Sequence, residues 1–326
     1  MEHHHWPGTD VSVSPICLGT AAFGATVAKD QAFALLDRFW QAGGNVIDTA
    51  RAYAIWIPGG EGISEQIVGE WMHDRHTAHD MVAVTKGGHP AWEQMDRPRL
   101  QPDAIISDCE ASLKALQLER ISVYLVHRDD PSRSVGEILE TLETLVKMGK
   151  VHWYGCSNWS PERMQEAMEY ARAEHLQGLS CNQAMWSLAQ LDPSALSDPT
   201  MEWVDEAMVA FHQKHRLPLM AYSAQAEAVF SRVEHQGWTA LPQALQEKYD
   251  RPVNRALFNQ IRDLSHASGY SVTTLALASL WSMTQWFCLP VFSTHRLDRL
   301  DSVIEGAQVR LNEDELTRIW RTLLDH

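Results

Sequence analysis

Cysteine, basic charge and long apolar runs are all scarce in this chain, and each shortage excludes a class of function. The five cysteines, at positions 17, 109, 156, 181 and 288, are far apart and form no C-x-x-C pair. Neither a disulfide framework nor a thiolate metal site is therefore indicated, and the thiols read as reduced core residues. Lys and Arg number 27 against 42 Asp and Glu, a formal net charge of -15, and no long basic cluster offsets it. Binding to nucleic acid through phosphate neutralisation is thereby disfavoured. No apolar run approaches the roughly 18 residues needed to span a bilayer, so no membrane association is expected.

Other signals are missing as well. The start "MEHHHWPGTDVSVS" lacks a basic first stretch and the apolar segment of a secretory signal, so a cytoplasmic location is expected. His3, His4 and His5 are either a tag-like or metal-binding cluster or the first strand of an N-terminal β-hairpin turning at "WPGT"; the alternating residues that follow favour the hairpin. No G-x-G-x-x-G follows a strand and no G-x-x-x-x-G-K-[ST] is present, which disfavours a doubly wound dinucleotide-binding fold and a P-loop. No internal repeat, low-complexity tract or linker divides the 326 residues, so residues 1–326 read as a single domain.

What is present is a regular alternation. Eight short apolar runs occur at 16–20, 45–48, 81–86, 122–127, 151–158, 178–183, 217–223 and 287–294, most separated by an amphipathic segment. Helical patterns such as "QAFALLDRFWQAGG", "GEILETLETLVKMGK" and "SPERMQEAMEYARAEH" lie between them, the last with Ser160 as N-cap and Pro161 at the first helical position. Alternating strands and helices imply a parallel sheet, and eight repeats imply an α/β fold of the (β/α)8 TIM barrel type, with its active site at the C-terminal face. The longest insertion, about 224–255, follows strand seven.

In such a barrel the chemistry sits at the ends of the strands. Each strand here finishes in a glycine or a polar residue: Gly19 and Thr20, Asp48, Lys86, His127, Ser157 and Asn158, Gln183, Tyr222 and Ser223, Ser293 and Thr294. The stretches "GGNVIDTARAY", "VAVTKGG", "YLVHRDDP" and "YGCSNWSPE" together resemble, in order and spacing, the aldo-keto reductases. "YLVHRDD" is similar to the bacterial and potassium-channel-β-like branches of that family.

The resemblance implies a catalytic set of Asp48, Tyr53, Lys86 and His127. A lysine ammonium beside a phenol favours the phenolate, so Lys86 is expected to lower the pKa of Tyr53, with Asp48 as the countercharge of Lys86. His127 is placed to hydrogen-bond a substrate carbonyl. The resemblance also implies NADPH or NADP+, with NAD(H) as the weaker option. Its nicotinamide would lie near Ser157, Asn158, Gln183 and Tyr222, its pyrophosphate near Ser223 and Gln225, and its 2'-phosphate near Ser293, Thr294, Arg296 and Arg299, with Gly19, Thr20 and Asp48 as further cofactor contacts. Ser302 and Val303 stand where relatives usually have Glu-Asn, and "YSAQAEAVF" departs from the usual Y-S-P-L-x-x-G.

The partner is expected to be a small carbonyl compound or sugar. Trp56, Trp92, Trp159 and Trp186, four of 13 tryptophans, with His89, Arg128 and Asp129, are candidate pocket walls. No metal is implied. Two rival readings stay open: Lys86 as a Schiff-base lysine, and a nicotinamide-nucleotide-binding regulatory subunit with slow turnover.

Overall fold

The computed structural model describes residues 1–282 and 286–324. Two short antiparallel strands, β1 (His4–His5) and β2 (Ser12–Val13), form the N-terminal hairpin, pairing His4 with Val13 and His5 with Ser12. Among the described residues, no group of three or more His, Cys, Asp or Glu is placed to hold a metal ion. Trp6, at the hairpin turn, is fully buried, stacks on Phe287 and donates its indole N–H to the Ser180 carbonyl.

Eight parallel strands close into a barrel: β3 (Cys17–Gly19), β4 (Val46–Asp48), β5 (Val82–Gly87), β6 (Ile121–Val126), β7 (Val151–Ser157), β8 (Asn182–Met185), β9 (Leu219–Tyr222) and β10 (Cys288–Phe292). They pair in chain order, and β10 returns to pair with β3. Helices cover the outside: α1 (Lys29–Gln41), α2 (Ile63–Arg75), α3 (Pro102–Leu116), α4 (Val135–Lys147), α5 (Pro161–Ala173) and α6 (Glu206–His215) follow β3 to β8 in turn. After β9 come α7 (Val229–Gln236), α8 (Gln243–Tyr249), α9 (Pro252–Ser268) and α10 (Val272–Trp281), and after β10 come α11 (Leu297–Gly306) and α12 (Glu313–Leu324). Helix ends follow local chemistry: Ser160 caps α5 by accepting from the Arg163 amide, with Pro161 at the first helical position.

The period of two along each strand separates two cores. Cys17, Val46, Val82, Val84, Val123, Leu125, Cys181, Met220, Leu289 and Val291 fill the barrel interior above Trp6. Leu18, Ile47, Tyr124, Val126, Tyr154, Cys156, Ala221 and Phe292 face the helices instead. Continuing the inward parity by one step brings Gly19, Asp48, Lys86, His127, Ser157, Gln183, Tyr222 and Ser293 to the top of the interior. The last polar layer of the barrel is thus dictated by the same alternation that buries the valines below it.

The expected strands are present, with shifted edges. The sixth lies at Asn182–Met185 rather than 178–183, because Gly178 takes a left-handed φ of 80° and the chain joins the ladder only after that turn. The insertion after strand seven is not an open loop. It contains α7 and α8, and α8 covers most of the "ALPQALQEKYD" pattern read as helical.

Gly87 ends β5 on its outer face, where a Cβ would stand 1.9 Å from the Tyr124 hydroxyl and 2.8 Å from the Asp108 Cβ. Gly87→Ala should therefore cost about 1–3 kcal/mol of stability through overpacking. Chemical denaturation measures this, and an unchanged midpoint would contradict the packing beside Lys86.

Candidate active site

Asp48, 1% exposed, is the centre of the polar layer. Its Oδ1 accepts from Lys86 Nζ at 2.7 Å and from Gln183 Nε2 at 2.7 Å, and its Oδ2 accepts from the Tyr53 hydroxyl at 2.7 Å. Lys86 Nζ also donates to the Tyr53 oxygen at 2.8 Å and to the Thr49 carbonyl at 2.9 Å. All three ammonium hydrogens therefore have acceptors, leaving none for a second role. Tyr53 reaches this layer from the loop after β4, whose base is fixed by the Arg51 amide donating to the Lys86 carbonyl.

Burial dominates the electrostatics. Burial first, then the Asp48 carboxylate as charge and acceptor, push the Tyr53 phenol well above its ordinary value of 10. The expectation that Lys86 draws the phenol down is thus reversed, because Asp48 faces the hydroxyl directly and stabilises its protonated form. Burial lowers Lys86 despite Asp48. His127 falls well below 6.5, through burial and then its neighbours His89, Arg128 and Lys86, so its imidazole is neutral. Its ring lies edge-on to Tyr53 with centroids 6.0 Å apart, and His89 packs on its other side at 4.7 Å.

A cleft of about 680 Å³ opens over this layer, within the size range of ligand sites. Asp48, Tyr53, His127, Arg128, Gly19, Ser157, Asn158, Gln183, Tyr222, Ser223, Gln225, Ser293, Thr294, Arg296 and Arg299 all line it. Ser157 donates to the Gln183 carbonyl; Asn158, at a left-handed φ of 59°, donates to the His127 carbonyl and Ser157 Oγ and accepts from the Tyr222 hydroxyl. Gly19 has no room for a side chain, since a Cβ would stand 2.5 Å from Ser293 Oγ.

The far end of the cleft is rich in arginine although the chain carries a net charge of -15. Arg296 and Arg299 meet Arg232 there, Arg296 paired with Asp298, with Glu227, Ser231, His235, His295, Ser302 and Val303 alongside. Hydroxyls, amides and a fork of arginines are the donor set that a dinucleotide's carboxamide and phosphates require, so the residues fit such a group. Ser231, Arg232 and His235 were not among the expected contacts. They lie on one side of α7, and their spacing inside the insertion is the signal that would have found them. The preceding turn holds Ser223, Ala226, Glu227 and Ala228 at left-handed φ between 48° and 62°, a strained path next to the cleft.

Several expected residues sit elsewhere. Thr20 follows the inward Gly19 and so faces outward, where it donates to the Asp48 carbonyl and bonds Ser64; it does not line the cleft. Trp159 is fully buried in the outer core with Arg163 over its ring, so it is no pocket wall. Trp186 packs against Trp286 and Trp320 away from the cleft. Trp56 and Trp92, 46% and 53% exposed, contact each other at 6.3 Å and are also absent from its lining. Asp129 is paired with Arg163. Arg128 does line the cleft, but its guanidinium is held by Asp198, Thr200 and the His127 carbonyl.

Residues 15–323 match the model of the aldo/keto reductase family. The chain belongs to that family. Among curated relatives, norsolorinic acid reductase B of Aspergillus parasiticus is 28% identical over 96% of this chain and 81% of its own length. An uncharacterized oxidoreductase of Bacillus subtilis, YrpG, is 27% identical over 97% of this chain and 94% of its own. An aryl-alcohol dehydrogenase of Pestalotiopsis microspora is 35% identical over 57% of this chain and 50% of its own. In structure, the barrel is similar to an aldo/keto reductase of Klebsiella pneumoniae solved with NADP and acetate. The TM-score is 0.69 at 24% identity, covering 96% of this chain and 93% of that one.

His89 gives the site a pH signature. Burial, and then the Arg128 charge, bring its pKa from 6.5 to about 4, and its Nδ1 bonds the Pro90 carbonyl. A depressed folded-state pKa contributes stability that is complete above pH 6.5 and is lost as pH falls toward 4. Unfolding midpoints should therefore decline through that window, less steeply in His89→Asn; identical slopes would contradict a buried neutral His89.

Proposed function

We propose that this single-domain aldo/keto reductase is an NADP(H)-dependent oxidoreductase that interconverts an aldehyde, ketone or keto-sugar and its alcohol, acting in the cytoplasm. The observation that carries the reading is the shared bonding of Tyr53, Lys86 and Gln183 to one buried carboxylate, Asp48, directly beneath a cleft with an arginine-rich far end. The cofactor, when bound, supplies or accepts the hydride. The chain supplies the rest of the balance, one proton and the alignment.

In reduction, Tyr53 gives its phenolic proton to the oxygen of the carbonyl carbon that receives the hydride. A phenol held protonated by burial remains loaded as an acid at neutral pH. Lys86, 2.8 Å from the phenol oxygen, stabilises the phenolate left behind, and in oxidation that phenolate takes the proton back. Neutral His127 donates a ring N–H to the carbonyl oxygen, orienting it and stabilising charge as it develops. Ser157, Asn158 and Gln183 would hold the carboxamide, and Tyr222 would cover the ring. Arg299 and Arg296, the latter exchanging its pair with Asp298, would hold the 2'-phosphate, which favours NADPH over NADH. The Klebsiella pneumoniae structures similar to this barrel were solved with NADP or NADPH, which supports the same choice. Complete bonding of the Lys86 ammonium argues against a Schiff-base role.

Tyr53→Phe should lower turnover by at least 10²-fold, consistent with the loss of a general acid, while NADPH affinity changes little. Wild-type rates in that variant would refute the proton donor. Arg296→Ala should weaken NADPH by roughly tenfold, the scale of one charge-assisted bond, and leave NADH nearly unchanged. Titration of cofactor fluorescence reads both, and equal losses would remove Arg296 from the phosphate site. A panel of aldehydes, ketones and sugars tests the activity itself; NADPH binding with negligible turnover across it would favour the regulatory-subunit reading.

A further inference from the structure

Glu65 is a buried carboxylate that the proposed chemistry does not use. It is fully buried on α2, outside the barrel wall. Its Oε1 accepts from Thr85 Oγ1 at 2.6 Å, the Ser112 hydroxyl also lies against the carboxyl, and burial nonetheless raises its pKa above the usual carboxylate value. The nearest cation is Arg51, whose Nη1 stands 4.0 Å from Oε2. A carboxyl buried this deeply is costly to ionise, and an amide or apolar side chain would pack the same helix at lower cost. Its ionised form depends on the hydroxyls of Thr85 and Ser112 and on the charge of Arg51.

Two of its contacts, Thr85 and Arg51, lead to the two residues that bond the Asp48 carboxylate and each other. Thr85 is the outward neighbour of Lys86 on β5. Arg51 closes the loop that carries Tyr53: its amide donates to the Lys86 carbonyl at 3.0 Å, and its own carbonyl accepts from the Gly62 amide at 3.0 Å. The guanidinium crosses Gly62 so closely that a Cβ there would stand 1.8 Å from Nη1, and Gly62 has a left-handed φ of 73°. Its other edge meets the exposed Glu61 at 3.4 Å. A glycine, a cation and a buried anion thus secure the base of an eleven-residue excursion, 51–61, whose working group is two residues from the anchor.

We propose that Glu65, through Arg51, is a positioning residue that holds the Tyr53 loop at hydrogen-bonding distance from Asp48 and Lys86, an inference that rests on the reductase reading above. The test is a double-mutant cycle. Glu65→Gln keeps an oxygen for Thr85 and nearly the same volume but removes the charge, and Arg51→Gln removes the other half. Each single variant should lower kcat by roughly ten- to a hundredfold, the cost of a misplaced reacting group. KM and NADPH affinity should stay within about twofold, because the cleft's binding residues lie on other strands. The double variant should be no slower than the slower single one, since both act through one contact.

A lowered Tm with unchanged kcat in Glu65→Gln would assign Glu65 to packing and overturn the proposal, as would additive losses in the double variant. A readout that needs no turnover separates this from the functional reading. The phenolate absorbance of Tyr53, taken as wild type minus Tyr53→Phe, should appear at lower pH in the Glu65→Gln background as the phenol drifts from Asp48. An unmoved titration overturns the positioning role even if the protein proves to be no reductase, whereas a moved titration without turnover refutes only the reductase reading.

Discussion

One carboxylate organises the molecule's working end. Asp48 accepts from Lys86, Gln183 and Tyr53, which arrive from β5, from β8 across the barrel and from a loop. A buried ion pair contributes little net stability, because desolvating two charges offsets their attraction, yet removing one partner costs about 3–5 kcal/mol. Such a centre therefore specifies an arrangement more than it strengthens a fold. The barrel below it, filled by Trp6 and a layer of valines, leucines and cysteines, supplies the stability that allows the polar layer to be kept.

The same centre explains how one site can hold three basic groups without repulsion dominating. Lys86 is bonded on all three hydrogens, His127 is neutral, and Arg128 is tied to Asp198. Arginine is concentrated further out, at the end of the cleft where α7 and the start of α11 face each other, with Arg296 paired to Asp298 and Arg299 bonded to Ser231. The reacting layer is buried and its charges are paired, and the recognition end is exposed and rich in arginine. A dinucleotide that is charged at its phosphates and nearly neutral at its reactive ring suits that polarity.

Much of this was legible in the residues because a strand has a period of two. Once "VAVTK" is read with its valines inward, Lys86 must also face inward, and the same parity sets Asp48, His127, Ser157 and Gln183. Parity also shows why Thr20 failed as a contact: it follows an inward glycine. The tryptophans misled for a different reason. An aromatic residue in a loop near the mouth can cover a helix as easily as it can wall a pocket, and nothing local in "SNWSPE" tells that Trp159 turns into the outer core beneath Arg163.

The sequence by itself determined the barrel, its order and the identity of its top layer, since these follow from short-range periodicity and from residue types repeated along the chain. Only the tertiary structure decided how the groups interact. It put the Tyr53 hydroxyl on Asp48, raising the phenol where proximity to Lys86 alone would lower it. It also turned α7 so that Arg232 and His235 join the arginines of a segment some sixty residues away. Those outcomes depend on distances across the barrel and on exclusion of water, and neither quantity exists until the chain has closed on itself.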